Sequence, residues 1–145
     1  MSDQNLVRLI YDAHRILTDL DATPRDYGGG RPLYASEVHA LVEIDKHPGI
    51  NLTELADGLR VSKSAVSKVT KKLLAEHFIL AERFPGNRKE IHFMVSPRGA
   101  AAAAGHRDFE ARLFGPLYER EALLGPEDRK AVASFLGDLY RLLKV

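Results

Sequence analysis

The stretch from Asn51 to Ser96 constrains this chain most. A short helical pattern, a four-residue turn, a polar helix and a hairpin follow one another there with no linker between them. In Leu52-Thr53-Glu54-Leu55-Ala56-Asp57-Gly58-Leu59 the apolar residues 52, 55, 56 and 59 fall on one helical face. Leu59-Arg60-Val61-Ser62 makes the turn, and Ser62 is an N-cap for a helix whose buried stripe is Ala65, Val66, Val69, Leu73 and Leu74. The opposite face carries Lys63, Ser64, Ser67, Lys68 and Lys71. Such a helix suits the major groove of DNA, where short hydroxyls reach base edges and lysines neutralise phosphates.

The hairpin follows at once. Phe78 to Phe84 reads as a strand, Pro85-Gly86-Asn87 as a turn and Glu90 to Val95 as a returning strand. Arg83, Arg88 and Lys89 surround its tip, with Asn87 in the turn. Residues 60–98 hold nine Lys/Arg and three Asp/Glu, a local +6, so the rest of a chain whose net charge is +1 carries −5. A near-neutral total thus hides a basic segment, the electrostatic footprint of a nucleic-acid face. A lysine-rich helix face alone would fit any solvated surface, and a Gly-tipped hairpin alone any α+β protein. Their succession at this spacing specifies a winged helix-turn-helix.

With 145 residues, 45% of them hydrophobic, the chain is expected to form one domain with a real core. No apolar run approaches membrane-spanning length, and Met1 to Asn5 lacks a signal-peptide pattern, so a cytoplasmic protein without a membrane partner is expected. The absence of cysteine removes disulfides, thiolate zinc sites and thiol-based sensing. Nucleophile elbows, phosphate loops and metalloprotease helices are all missing, which argues against an enzyme. Gly28-Gly29-Gly30 lacks the strand-before, helix-after context of a phosphate cradle and reads as a flexible connection, whereas Ala100 to Ala104 is helix-forming.

Both chain ends are helical in pattern. Leu6, Ile10, Ala13, Leu17 and Leu20 alternate at spacings of four and three, a seam-like stripe on a helix over about residues 4–21. After Gly125, with Pro126 at the first helical position, Val132, Phe135, Leu136, Leu139, Leu142 and Leu143 line a last helix. Two such stripes flanking a DNA-binding module point to a dimerisation layer, because dimers match two-fold operators.

These residues resemble the multiple antibiotic resistance regulator (MarR) family of prokaryotic transcription regulators. The resemblance rests on Leu41 through Leu80, with Leu55-Ala56, the Val61-Ser62 turn, Ala65-Val66-Ser67 and Lys72-Leu73. Val95-Ser96-Pro97-Arg98-Gly99 is similar to the family's strand-to-helix signature, and Gly125-Pro126-Glu127-Asp128 to the start of its last helix. The resemblance covers nearly the whole chain. It implies a triangular homodimer of six-helix subunits, with Ser62 to Lys71 as the recognition helix and Arg88 as the wing arginine that enters the minor groove. Many members place an acidic residue just before that arginine; here Asn87-Arg88-Lys89 stands instead.

The resemblance also places an effector site between the dimerisation helices and the winged domain, where Tyr11, His14, Arg15 and Tyr34 are the candidate lining residues for a small molecule. His106 and Glu110, four apart on one helical face, form a candidate pair of metal ligands. With Asp21 and His39 they resemble, in order and spacing, the zinc set of the family's zinc-responsive branch, except that Glu110 stands where that branch has histidine.

The expected fold is therefore mainly α with a small β-wing: a single winged helix-turn-helix domain over 1–145, with the DNA-binding region at 34–98 and dimerisation helices at 4–21 and 100–145. The expected function is a sequence-specific regulator of transcription, most simply a repressor, that binds a double-stranded DNA operator as a homodimer and responds to an effector. A zinc-responsive regulator using Asp21, His39, His106 and Glu110 is one alternative. A non-specific architectural DNA protein is another, although the acidic remainder of the chain speaks against a protein that gains affinity over a broad phosphate-binding surface.

Overall fold

Residues 5–144 are described by a computed structural model. Six helices and three short strands succeed one another: α1 (Leu6–Ala22), α2 (Ala35–Lys46), β1 (Ile50–Asn51), α3 (Leu52–Leu59), α4 (Lys63–Ala75), β2 (Ile79–Phe84), β3 (Asn87–Val95), α5 (Pro97–Ala122) and α6 (Pro126–Leu143). The strands form an antiparallel sheet in the order β1-β3-β2. The chain divides into two compact units, one ending at Arg107 and the other beginning at Asp108.

The core belongs to the first unit. Val38, Leu41 and Ile44 on α2 meet Leu55 and Ala56 on α3, Val66 and Leu73 on α4, and Phe78, Ile79 and Phe93 of the sheet region. All are nearly inaccessible to water, each large side chain contributing roughly 1.5–3 kcal/mol of hydrophobic stabilisation. The alanine run of α5 supplies Ala102 and Ala103, whose small side chains join this core.

Val95 to Gly99 shows why that short sequence joins strand to helix. The Ser96 hydroxyl donates to the His77 carbonyl (2.6 Å) and accepts from the Gly99 N–H (3.1 Å), capping α5. Pro97 occupies the first helical position, where no N–H is needed. Gly99 lies so close to the chain that an added Cβ would stand 2.0 Å from the Phe78 carbonyl oxygen, so the position accepts no side chain.

The segment before α2 corrects one expectation. Gly28 to Gly30 does not form a loose connection: the Asp26 carboxylate accepts from the Gly28 and Gly30 N–H groups, and Arg25 and Leu33 form a β-bridge. Gly29 is buried, with space for a Cβ only 2.6 Å from the Phe78 ring. Gly29 lets the backbone dock where a side chain would clash, and Gly28 and Gly30 adopt positive φ on either side of it.

The terminal helices are different. Asn5 caps α1 by accepting from the Arg8 N–H, and Pro126 opens α6 with Glu127 and Asp128 in its first turn, where the helix dipole favours negative charge. Neither helix contains a buried residue. Among the described residues, no helix is long and apolar enough to cross a membrane.

Candidate nucleic-acid interface

The site is built by two local caps and one turn. At the start of α3 the Asn51 side-chain oxygen accepts from the Glu54 N–H (2.8 Å), while the Glu54 carboxylate accepts from the Asn51 N–H (3.3 Å), a reciprocal capping box. Helix α3 ends at Arg60, a non-glycine residue in the left-handed conformation at φ 56°, and the Val61 N–H donates to the Ala56 carbonyl. Ser62 then caps α4, its hydroxyl accepting from the Ala65 N–H (3.2 Å). The predicted helix-turn-helix is thus formed at the predicted positions.

Helix α4 turns Val66, Thr70 and Leu73 inward. Ala65, expected in the buried stripe, is exposed, and Thr70 takes the inward place instead. A hydroxyl can be buried there because it donates to the Val66 carbonyl (2.9 Å) within the helix. Lys63, Ser64, Lys68 and Lys71 are exposed on the other side; Ser67 is half-buried, in a groove shared with Thr53, Lys71, Lys89 and Glu90. That groove, between α3, α4 and β3, brings the hydroxyls of Thr53 and Ser67 beside the ammonium groups of Lys71 and Lys89.

The wing starts earlier than expected. Strand β3 begins at Asn87, not Glu90, so Asn87 and Lys89 are strand residues, and the turn narrows to Pro85-Gly86, with Gly86 at φ 91°. Lys89 is exposed, and Arg83 is an exposed residue of β2. The side chain of Arg88 lies outside the described residues. Asn87 donates to the Glu90 carboxylate (2.9 Å).

An ionic cluster behind α4 was not legible in the sequence. Arg31 donates to the buried Glu37 and to Glu76, which caps the end of α4, and Lys72 on α4 stands 3.7 Å from Glu37. Glu37 also accepts from the Tyr34 N–H (3.1 Å). Burial pushes the Glu37 carboxyl up, but the hydrogen bonds from Arg31 and Tyr34, with the charges of Arg31 and Lys72, outweigh it and hold the carboxyl below its ordinary value. From α5, Arg98 donates to the carbonyls of Gly29 and Glu76 and lies 4.0 Å from the centre of the Phe78 ring. The end of α4 is therefore clamped to α2 and to the start of α5. Glu37 lies three residues after Tyr34, at capping-box spacing, and that was the one local signal.

The predicted metal residues are only partly brought together. His39 and the buried His106 meet edge to face, ring centres 5.1 Å apart, and the Tyr27 ring also packs edge to face on His106 at 5.2 Å. Asp21 is exposed at the end of α1, and Glu110 belongs to the second unit. Among the described residues no three His, Asp or Glu side chains group closely enough to hold a metal ion. Helical spacing aligns His106 with Glu110 along one helix but does not bring residues of other helices to them. Of the effector candidates, Tyr11, His14 and Arg15 line an open depression along α1, whereas Tyr34 stands exposed ahead of α2 and is not part of it.

Residues 33–91, which contain the helix-turn-helix and most of the wing, match the family model described as MarR family. The chain carries a MarR-family domain over these residues. It carries the DNA-binding domain of this family of transcriptional regulators, which are not enzymes. A curated relative, the HTH-type transcriptional regulator PchR of Bacillus subtilis (strain 168), is 27% identical over 113 residues, covering 78% of this chain and 67% of the relative. The chain spans between 62% and 67% of the length of the curated relatives it matches. Among solved structures, the adhesin competence repressor AdcR from Streptococcus pyogenes shares the fold at a TM-score of 0.80 and 15% identity, covering 97% of this chain and 99% of that one. Lactococcus lactis ZitR in complex with DNA does so at 0.77 and 16%, covering 97% and 99%. The fold of these structures thus extends over nearly the whole chain.

Proposed function

We propose that this protein works in the cytoplasm as a homodimer that recognises a two-fold double-stranded DNA operator, with α4 in the major groove and the wing against the neighbouring minor groove. The observation that carries this reading is the surface of α4. Lys63, Ser64, Lys68 and Lys71 are exposed on a helix that Ser62 caps and that Val66 and Leu73 anchor in the core. Ser64, Ser67 and Lys68 would read bases, while Lys63, Lys71, Arg83, Arg88 and Lys89 would hold phosphates. The apolar faces of α1 and α6, exposed in the single chain, would close the dimer. An operator bound by both subunits then places two recognition helices about one helical turn of DNA apart.

A metal-responsive version of this regulator has one observation in its favour, the contact between His39 and His106. Both readings are tested by selecting duplexes from a random pool and measuring binding with and without chelator. The expected result is enrichment of a palindromic site, with loss of about 1–3 kcal/mol of discrimination per base contact removed in Ser64→Ala, Ser67→Ala or Lys68→Ala. Equal affinity for random and selected DNA would replace the regulator with an architectural protein. Binding that chelator abolishes and zinc restores, with sensitivity to His39→Ala and His106→Ala, would favour the metal-responsive version.

A further inference from the structure

Glu90 is a carboxylate in a surface that should meet phosphates. It lies in the groove with Ser67, Lys71 and Lys89, and it is one of three acidic residues between positions 60 and 98. Of the other two, Glu76 is paired with Arg31 behind α4. A negative charge facing DNA weakens association through simple repulsion, so its presence calls for a compensating role.

The β-ladder shows where such a role is needed. Strands β2 and β3 pair regularly from Ile79↔Val95 to Glu82↔His92, and the next pair is Phe84↔Asn87. Between those two pairs β3 has four residues, 88–91, and β2 has one, Arg83. On its other side β3 pairs with β1 only at Ile50↔Phe93 and Asn51↔His92. Regular ladder pairing is therefore interrupted by a bulge before the single pair at the wing tip, so the tip's direction depends on side chains as well as on the ladder.

The Glu90 side chain spans that gap. One carboxylate oxygen accepts from the Asn51 Nδ2 (2.7 Å), the other from the Asn87 Nδ2 (2.9 Å). Because a carboxylate only accepts, both asparagines must turn their NH2 groups toward it. Asn51 is itself fixed as the cap of α3, so a continuous path runs from the helix-turn-helix through Asn51 and Glu90 to Asn87, the neighbour of Arg88. We infer that Glu90 is a positioning residue for DNA binding: it aims the wing by tying its tip to the N-terminus of α3, although its own charge repels the ligand.

The inference rests on the proposed DNA-binding function and makes a prediction of opposite sign to electrostatics. If the carboxylate were only a surface charge, Glu90→Ala would tighten binding. As a positioning residue, its loss should weaken binding to a duplex selected by the parent protein at least tenfold and flatten the dependence of log affinity on log salt, because wing phosphate contacts are lost. In the free protein, amide hydrogen exchange at residues 87–89 should accelerate at least tenfold, while amides of the regular ladder such as Leu80 and Met94 keep their rates. Glu90→Gln, which keeps one acceptor, should fall between. Asn51→Ser, which retains a helix cap but removes the amide, should weaken binding, and adding it to Glu90→Ala should cost little more.

Unchanged or tighter binding by Glu90→Ala overturns the inference, as does wing-tip exchange equal to that of the parent. If the parent bound no duplex, the DNA-binding proposal would fall, while the exchange measurement would still decide whether Glu90 holds the wing.

Discussion

Helix α2 buries Val38, Leu41 and Ile44 completely, whereas α1, five residues longer, has no buried residue; α6, longer still, has none either. In sequence all three carry apolar stripes at helical spacing. The difference is that α2 lies among α3, α4 and the sheet region, which together enclose its apolar face. On α6, Val132, Phe135 and Leu136 remain at least 40% exposed, and on α1 Leu6, Ile16 and Leu17 do the same. Periodicity tells which face of a helix wants to leave water but not which surface will cover it. The winged region finds its cover within the chain, and the terminal helices, as we propose, find theirs in a second copy.

The largest effect should come from attacking that proposed cover. Leu136→Asp places a charge on the α6 stripe and should convert dimer to monomer or to insoluble protein in equilibrium sedimentation. A wild-type protein that sediments as a monomer would remove the contrast between the two regions. The same measurement with Leu136→Ala should show a weaker dimer whose unfolding depends on protein concentration.

Next in size is the ionic cluster that holds the winged region from inside. Removing one partner of a buried pair costs about 3–5 kcal/mol, and Arg31→Ala would leave the buried Glu37 with Lys72 as its nearby cation and the Tyr34 N–H as its remaining donor. Thermal or urea unfolding should detect a loss toward the lower end of that range, since Arg31 is partly exposed. If the stability hardly changes, the clamp between α4 and α2 is decorative.

The smallest effect is a pH dependence with a definite sign. The Glu37 carboxyl lies below its ordinary value of 4.5 in the folded chain, so its contribution to stability is complete above pH 4.5 and declines as pH falls through the lowered folded value. Urea midpoints measured between pH 6 and pH 3 should show this decline in the parent and a flatter profile in Arg31→Ala. A parallel pair of profiles would mean that Arg31 does not hold the carboxylate ionised.

Local spacing in the sequence was enough to specify the helix-turn-helix, its cap at Ser62, the wing and the basic segment. Each depends on residues a few positions apart, whose spacing maps directly onto helical or extended geometry. It also marked which faces of the end helices are apolar. Tertiary structure decided what those local signals do not encode. Arg31 meets Glu76 across 45 positions and Arg98 meets Gly29 across 69, so no periodicity predicts either contact. Ala65 left the expected buried stripe and Thr70 entered it because burial follows the surface α4 packs against, and a threonine that satisfies its own hydroxyl in the helix can enter a core. For the same reason the histidines of α2 and α5 came together without Asp21. Spacing aligns residues along one helix, whereas convergence between helices is set by how the whole core packs.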